Sequence, residues 1–454
     1  MIATIFCLVV LILTGWAIAK NYDAKVVLFV SGIILLYATV LMGDPVLSAK
    51  ATSGLDWADP FKVIKDLIVK QFSNAGLIIM TLFGFAAYMS HIGANEAATR
   101  LLSRPLAHIS SPYILVPLVF LMGNLLSIII PSASSLSVIL MATLFPVLRA
   151  AKMTPLTAGA VIATTATIIP TPLGGDNVVA ARVLGIDHVV DYVFYHHAPV
   201  TIPSLLVMAV AHYFWQKYMD KRSAHVEAKI DESKFKKDEK MAPDYYAIFP
   251  ILPLVFTIFF WFFFKSAKVG LVELTLVSFI IAFIAESMRS SKDIKTQLKD
   301  AGCFFKGMGD GFTQVVVLIV AASTMVAGIK SMGLIDLIAQ GVSNLRNAET
   351  GLMFAFAGIT SLITFISGSG NAAFYSFIEL IPAIANKAGV DPIMVTLPMQ
   401  AASNLFRSAS PVAAVIIIVS AIVQVNPIEI VKRTAVPVLA GFVSVLAMTS
   451  FIYL

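Results

Sequence analysis

Apolar stretches of about 20 residues, the length that carries a helix across the hydrocarbon core of a bilayer, recur from one end of this chain to the other. They predict ten spanning helices: 2–19, 25–43, 74–91, 155–183 and 190–216, then 245–264, 269–288, 311–330, 391–423 and 432–454. In lipid every backbone amide must be satisfied within its own segment, so such a chain is all-α. The residue balance agrees: 58% hydrophobic, 13% charged and a mean hydropathy of +0.89, against roughly half apolar and a quarter charged in soluble domains. The net charge of +6 is spread over short loops, which excludes a nucleic-acid surface. No basic residue precedes the first stretch, and Lys20 and Lys25 follow it, so it reads as a span rather than a secretory signal. Cys7 and Cys303 have no evident partner, and neither a disulfide, a metal site nor an organic cofactor is expected.

Two apolar segments, 111–150 and 350–387, are too long for one crossing and carry a small polar break in the middle, PSASS (131–135) and SGSGN (367–371). Each predicts a re-entrant hairpin, since bare backbone at membrane depth survives only inside protein or along a cavity. The two halves match: from Pro131 to Pro146 and from Ser367 to Pro382 a small polar tip leads into an apolar arm and then a proline. A first repeat over 1–216, a charged cytoplasmic linker over 217–244 and a second repeat over 245–454 follow. Placing the linker in the cytoplasm and counting the hairpins as non-crossing puts about twice as many Lys and Arg inside as outside. Each half then crosses five times, so the second is inverted, and both termini are expected in the periplasm.

The chemistry is expected at the interruptions. A hairpin tip starts a half-helix whose first amides are unpaired and whose dipole favours an anion. Ser132, Ser134 and Ser135 offer donors at the first tip, and Ser367, Ser369, Gly370 and Asn371 form the second. Two spans are themselves broken by proline, at IIPTPLGGDN (168–177), which contains Thr171, and at SNLFRSASP (403–411), which contains Ser403, Asn404 and Arg407. Arg407 lies seven residues after Gln400 inside an apolar span. Its planar fork matches a carboxylate, and intramembrane charges default to function. The rival role is an ion pair with Asp176 or Glu379, and either of those acids is a candidate for a coupling proton. The seven histidines are given no role. A serine protease is excluded because the serine-rich tips lack a nearby base. The reading is a carrier, not an enzyme.

GFAAYMSHIGAN (84–95), LMATLFPV (140–147), SGSGNAAFYSFIELIP (367–382), ASNLFRSASPV (402–412) and VKRTAVPVL (431–439) resemble the DcuC-type anaerobic C4-dicarboxylate carriers of the ion-transporter superfamily. The likeness runs over nearly the whole chain. It implies a multi-pass protein of the bacterial inner membrane, with a scaffold domain and a moving transport domain that work by an elevator motion, usually as a homodimer. It implies succinate efflux and exchange or uptake of fumarate, malate or aspartate, coupled to H+. It also implies substrate contacts from Ser369, Gly370, Asn371, Ser403, Asn404 and Arg407. The alternatives are another small anion or an amino acid carried on the same fold, or Na+ as the coupling ion.

Overall fold

The computed structural model describes every residue except Met1, Ser110, Pro131, 223–240, 265–266, 291–292 and 344–346. Among the described residues all regular structure is helical, and nine helices are long and apolar enough to cross a membrane. The two halves run through the same order of elements. A helix of 18 or 19 residues, Ala24–Leu41 or Leu271–Arg289, leads to a long helix, Asp59–His91 or Ile294–Ser331. Next come a short amphipathic helix, Ala94–Ser103 or Leu334–Ser343, a two-armed hairpin, a broken helix and a final long helix. Gly93 and Gly333 make the same turn after each long helix, at φ +73° and +72°, a conformation that glycine adopts without Cβ strain.

The long helices correct the sequence reading. The stretches 74–91 and 311–330 belong to helices that begin already at Asp59 and Ile294. Charges that resemble a loop, Lys65, Asp66 and Lys70 in one and Lys295, Lys299 and Lys306 in the other, ride on exposed faces of the helix. Each long helix passes through one π-helical turn, Phe72–Gly76 and Phe312–Val316. They cross at small residues. A Cβ on Gly84 would lie 2.7 Å from the Phe304 carbonyl, and one on Gly307 would lie 2.7 Å from that of Phe83. Such close backbone approach is how helices associate where lipid removes the usual hydrophobic drive.

The first hairpin has arms Pro112–Ser127 and Ala133–Thr143, the latter continued by Phe145–Ala150. The second has arms Ala348–Ser367 and Gly370–Phe377, continued through a 3-10 turn into Ile381–Ala388. Pro131, the expected first residue of the first tip, lies outside the described residues. The broken helices are Pro155–Ala163 with Gly175–Val183, and Pro392–Phe406 with Ala414–Val423. Ala198–Arg222 takes in the first six residues of the expected linker, whose 223–240 lie outside the described residues.

Arg433, near the start of the expected span 432–454, is buried. Its Nη1 pairs with Asp220 at 2.5 Å, and the two side chains are 2% and 7% exposed. The Thr154 and Thr157 hydroxyls donate to the same carboxylate, and Gln216 donates to the Arg433 carbonyl. This cluster ties Pro427–Tyr453 and Ala198–Arg222 to the start of the first broken helix. An unpaired ion there costs several kcal/mol, so the geometry of the cluster is strongly enforced.

Candidate functional site

Both hairpin tips are capped alike. The Ser132 hydroxyl accepts from the Ser135 amide at 3.3 Å, and the Ser369 hydroxyl accepts from the Ala372 amide at 3.3 Å. In each tip the cap satisfies one amide, and the other first-turn amides have no partner within the helix. Each hairpin packs on the broken helix of its own half through glycine. A Cβ on Gly123 would come within 2.2 Å of the Thr165 side chain, and one on Gly370 within 2.0 Å of the Ser403 carbonyl oxygen. Gly368, at φ +71°, lies against the backbone of Ala413 in the second break.

The two breaks are joined by a buried polar network. Gln400 Nε2 donates to Asp176 Oδ2 at 2.9 Å and to Asn177 Oδ1 at 2.7 Å, and Asn404 Nδ2 donates to Asp176 Oδ2 at 2.8 Å. Tyr192 donates to Gln400 Oε1 at 2.6 Å. Asn177 Nδ2 donates to the unwound carbonyls of Ile169 and Thr171 at 2.8 and 2.9 Å. These are the carbonyls that proline and glycine strand in the first break, and a side-chain amide is what lets them stay buried. Arg407 Nη2 donates to the Ala166 carbonyl, and Ser408 donates to the Ala163 carbonyl at 2.9 Å, so the second break also braces the first. Arg407 Nε is buried with no hydrogen-bond partner among the described residues.

A cavity of about 440 Å³ opens where these parts meet, within the usual size of a small-molecule site. Ser132, Ser134 and Ser135 of the first tip line it, with Ser369, Gly370 and Asn371 of the second and Asp176, Asn404 and Arg407 of the breaks. The structure does not bring the remaining candidates to it. Thr171 is fully buried and donates to the Ile128 carbonyl at 3.1 Å, bracing the first hairpin. Ser403 and Ser367 donate to the carbonyls of Gln400 and Ile363, one turn back in their own helices. Glu379 does not line the cavity. Its Oε1 accepts from Gln71 Nε2 at 2.8 Å, and the same amide nitrogen donates to Ser323 at 2.7 Å. Neither Asp176 nor Glu379 forms an ion pair with Arg407 among the described residues.

Sequence reasoning gave no role to Asn177, Tyr192, Gln400 or Tyr375, nor to Asp310 and Gln314, which face the cavity from the second long helix. Two signals were available. Gln400, Asn404 and Arg407 sit at i, i+4 and i+7, one face of a helix. Asp310 and Gln314 are likewise polar residues four apart, at the start of the apolar stretch 311–330.

Three comparisons bear on this site. The family model described as "C4-dicarboxylate anaerobic carrier", DcuC, matches residues 2–453. The anaerobic C4-dicarboxylate transporter DcuC of Escherichia coli K12 is 37% identical over 448 residues, 97% of this chain and 95% of that one. A Vibrio cholerae protein named a probable anaerobic C4-dicarboxylate transporter DcuC is 36% identical over 452 residues, 99% of this chain and 97% of its own. Among solved structures, the crystal structure of the YdaH transporter of Alcanivorax borkumensis superposes with a TM-score of 0.61 over 95% of this chain and 98% of that one. At 15% sequence identity, that likeness concerns the fold.

Proposed function

Because this chain belongs to the DcuC family of anaerobic C4-dicarboxylate carriers, we propose that it moves succinate and related four-carbon diacids across the bacterial inner membrane through the cavity between its hairpin tips. It is a membrane transporter, not an enzyme. The observation that carries the site is Arg407. Its guanidinium lines the cavity, and its Nη1 makes no hydrogen bond among the described residues and is not one of the buried atoms, so that end of the fork is open to a guest. A guanidinium nitrogen whose donors are free is matched best by a carboxylate. The first-turn amides and hydroxyls of both tips offer donors for the second carboxylate. Two half-helix ends and one arginine offset the charge of a dianion.

The mechanism is alternating access by an elevator motion. The hairpins, both broken helices and the helices Ala198–Arg222 and Pro427–Tyr453 form the moving body. The crossed long helices Asp59–His91 and Ile294–Ser331 form part of the scaffold, which pairs with a second copy as a homodimer. Each half contributes five crossings, so the repeats are inverted, the linker is cytoplasmic and both termini are periplasmic. Glu379 carries the coupling proton. It sits on the moving body, and its hydrogen bond to Gln71 reaches the scaffold.

Labelled-succinate counterflow in liposomes tests this reading, with and without a proton gradient, a sodium gradient serving as the alternative arm. Fumarate should compete and monocarboxylates should not. Counterflow insensitive to every diacid would refute the proposal.

A further inference from the structure

Asp176 presents a carboxylate oxygen to a cavity that Arg407 and both tips furnish with donors, and Asp310 of the second long helix is the other acid in its lining. Oδ2 is clamped by the Gln400 and Asn404 amides. Oδ1 accepts no hydrogen bond among the described residues and is not among the buried unpartnered atoms, so it is open to the cavity that Asp176 lines. The clamp comes from two neutral amides one turn apart on the same helix, and Tyr192 donates to Gln400 from behind. These bonds hold the carboxylate at the cavity wall. Beside a plain dianion it is a fixed like charge, and like charges repel strongly where water is excluded. Beside a guest that bears its own ammonium group it becomes an attractive partner, with a charge-assisted hydrogen bond. Arg407 and Asp176 both line the cavity, one positive group and one negative. This pair is complementary to a carboxylate and an ammonium on neighbouring atoms.

We propose that Asp176 is an ammonium subsite and that this carrier discriminates in favour of 2-amino four-carbon diacids, L-aspartate being the simplest, over their hydroxy and unsubstituted counterparts. The inference rests on the dicarboxylate reading of the same cavity and adds a specificity-determining residue to it. Arg407 holds the α-carboxylate, Asp176 the adjacent ammonium, and the tips the distal carboxylate.

The test is equilibrium binding of labelled succinate to the full-length protein in nanodiscs, competed by L-aspartate and by L-malate, which replaces the ammonium with a hydroxyl at nearly the same size. In the unaltered protein aspartate should displace succinate about tenfold better than malate does, the ordinary weight of one charge-assisted contact. In Asp176→Asn the ratio of aspartate to malate affinity should fall by about tenfold. The malate comparison needs no variant, so it stands even if Asp176→Asn fails to fold. Equal displacement by aspartate and malate in the unaltered protein, or a ratio that moves by less than about threefold in the variant, would overturn the ammonium subsite while leaving the dicarboxylate site intact. Failure of the unaltered protein to bind succinate would overturn both.

Discussion

Replacing Gly370 with alanine tests the packing of the second tip on its broken helix with the smallest possible perturbation. The added Cβ would stand 2.0 Å from the Ser403 carbonyl oxygen and 2.8 Å from its carbonyl carbon. Both are backbone atoms of a buried helix, so neither can swing aside. Carbon–oxygen contacts settle at roughly 3.3–3.6 Å, so the tip must retreat by about 1.3 Å. A displacement of about 1 Å in a positioning element costs on the order of 10²-fold in rate, equivalent to about 2.7 kcal/mol. The hairpin arms and their apolar packing are untouched, so the protein should still accumulate in the membrane. The assay is the initial rate of labelled-succinate counterflow per mole of reconstituted protein. Gly309→Ala is the control, since a Cβ there meets nothing within 4 Å. A Gly370→Ala carrier that works within about twofold of the unaltered one, short of the loss a 1 Å shift entails, would show that the tip does not position substrate.

Three further outcomes are expected. Arg407→Lys keeps the charge but loses the fork, and should lower succinate affinity by about tenfold or more while protein abundance falls far less; unchanged affinity in a binding titration would remove the guanidinium from the site. Arg433→Gln strands the Asp220 carboxylate, which is 7% exposed, and should destabilise the protein by about 3–5 kcal/mol, seen as a lower Tm in detergent, with partial rescue by Asp220→Asn in the same chain. Glu379→Gln preserves the shape of the contact with Gln71 but removes a titratable proton, so stimulation of succinate transport by an imposed proton gradient should be lost, and retained stimulation would place the coupling proton elsewhere.

What was legible in the sequence was whatever the bilayer dictates. Apolar length gave eight of the nine helices long enough to cross; the ninth, Ala348–Ser367, is an arm of the second hairpin, and the expected spans 2–19 and 155–183 are not among the nine, the second because it is broken. Small polar tips flanked by apolar arms gave both hairpins. Pro170, Pro172 and Pro411 marked the broken helices, because a missing amide leaves a mark that no context hides. The long helices were read short because charges on an exposed face look the same as charges in a loop, and the π-helical turns at Phe72–Gly76 and Phe312–Val316 leave no motif. The polar network was hidden for a different reason. Its members pair across 208 to 228 positions, as in Tyr192 with Gln400 and Asp176 with Asn404, and spacing within one helix says nothing of such partners. Thr171 and Ser403 show the converse. A hydroxyl beside a break looks like a ligand donor, yet both are spent on backbone carbonyls.

The central claim is that a diacid occupies the space between the two tips. It is tested most directly by substrate protection of a single cysteine, Ser369→Cys, in a chain whose Cys7 and Cys303 are replaced by serine. Ser369 is exposed to the cavity, so a small methanethiosulfonate should modify the new thiol rapidly. Succinate should slow that modification in proportion to its occupancy, while acetate at the same concentration leaves the rate unchanged. A thiol at the tip that reacts equally fast with and without saturating succinate, in protein that still catalyses succinate counterflow, would contradict the account.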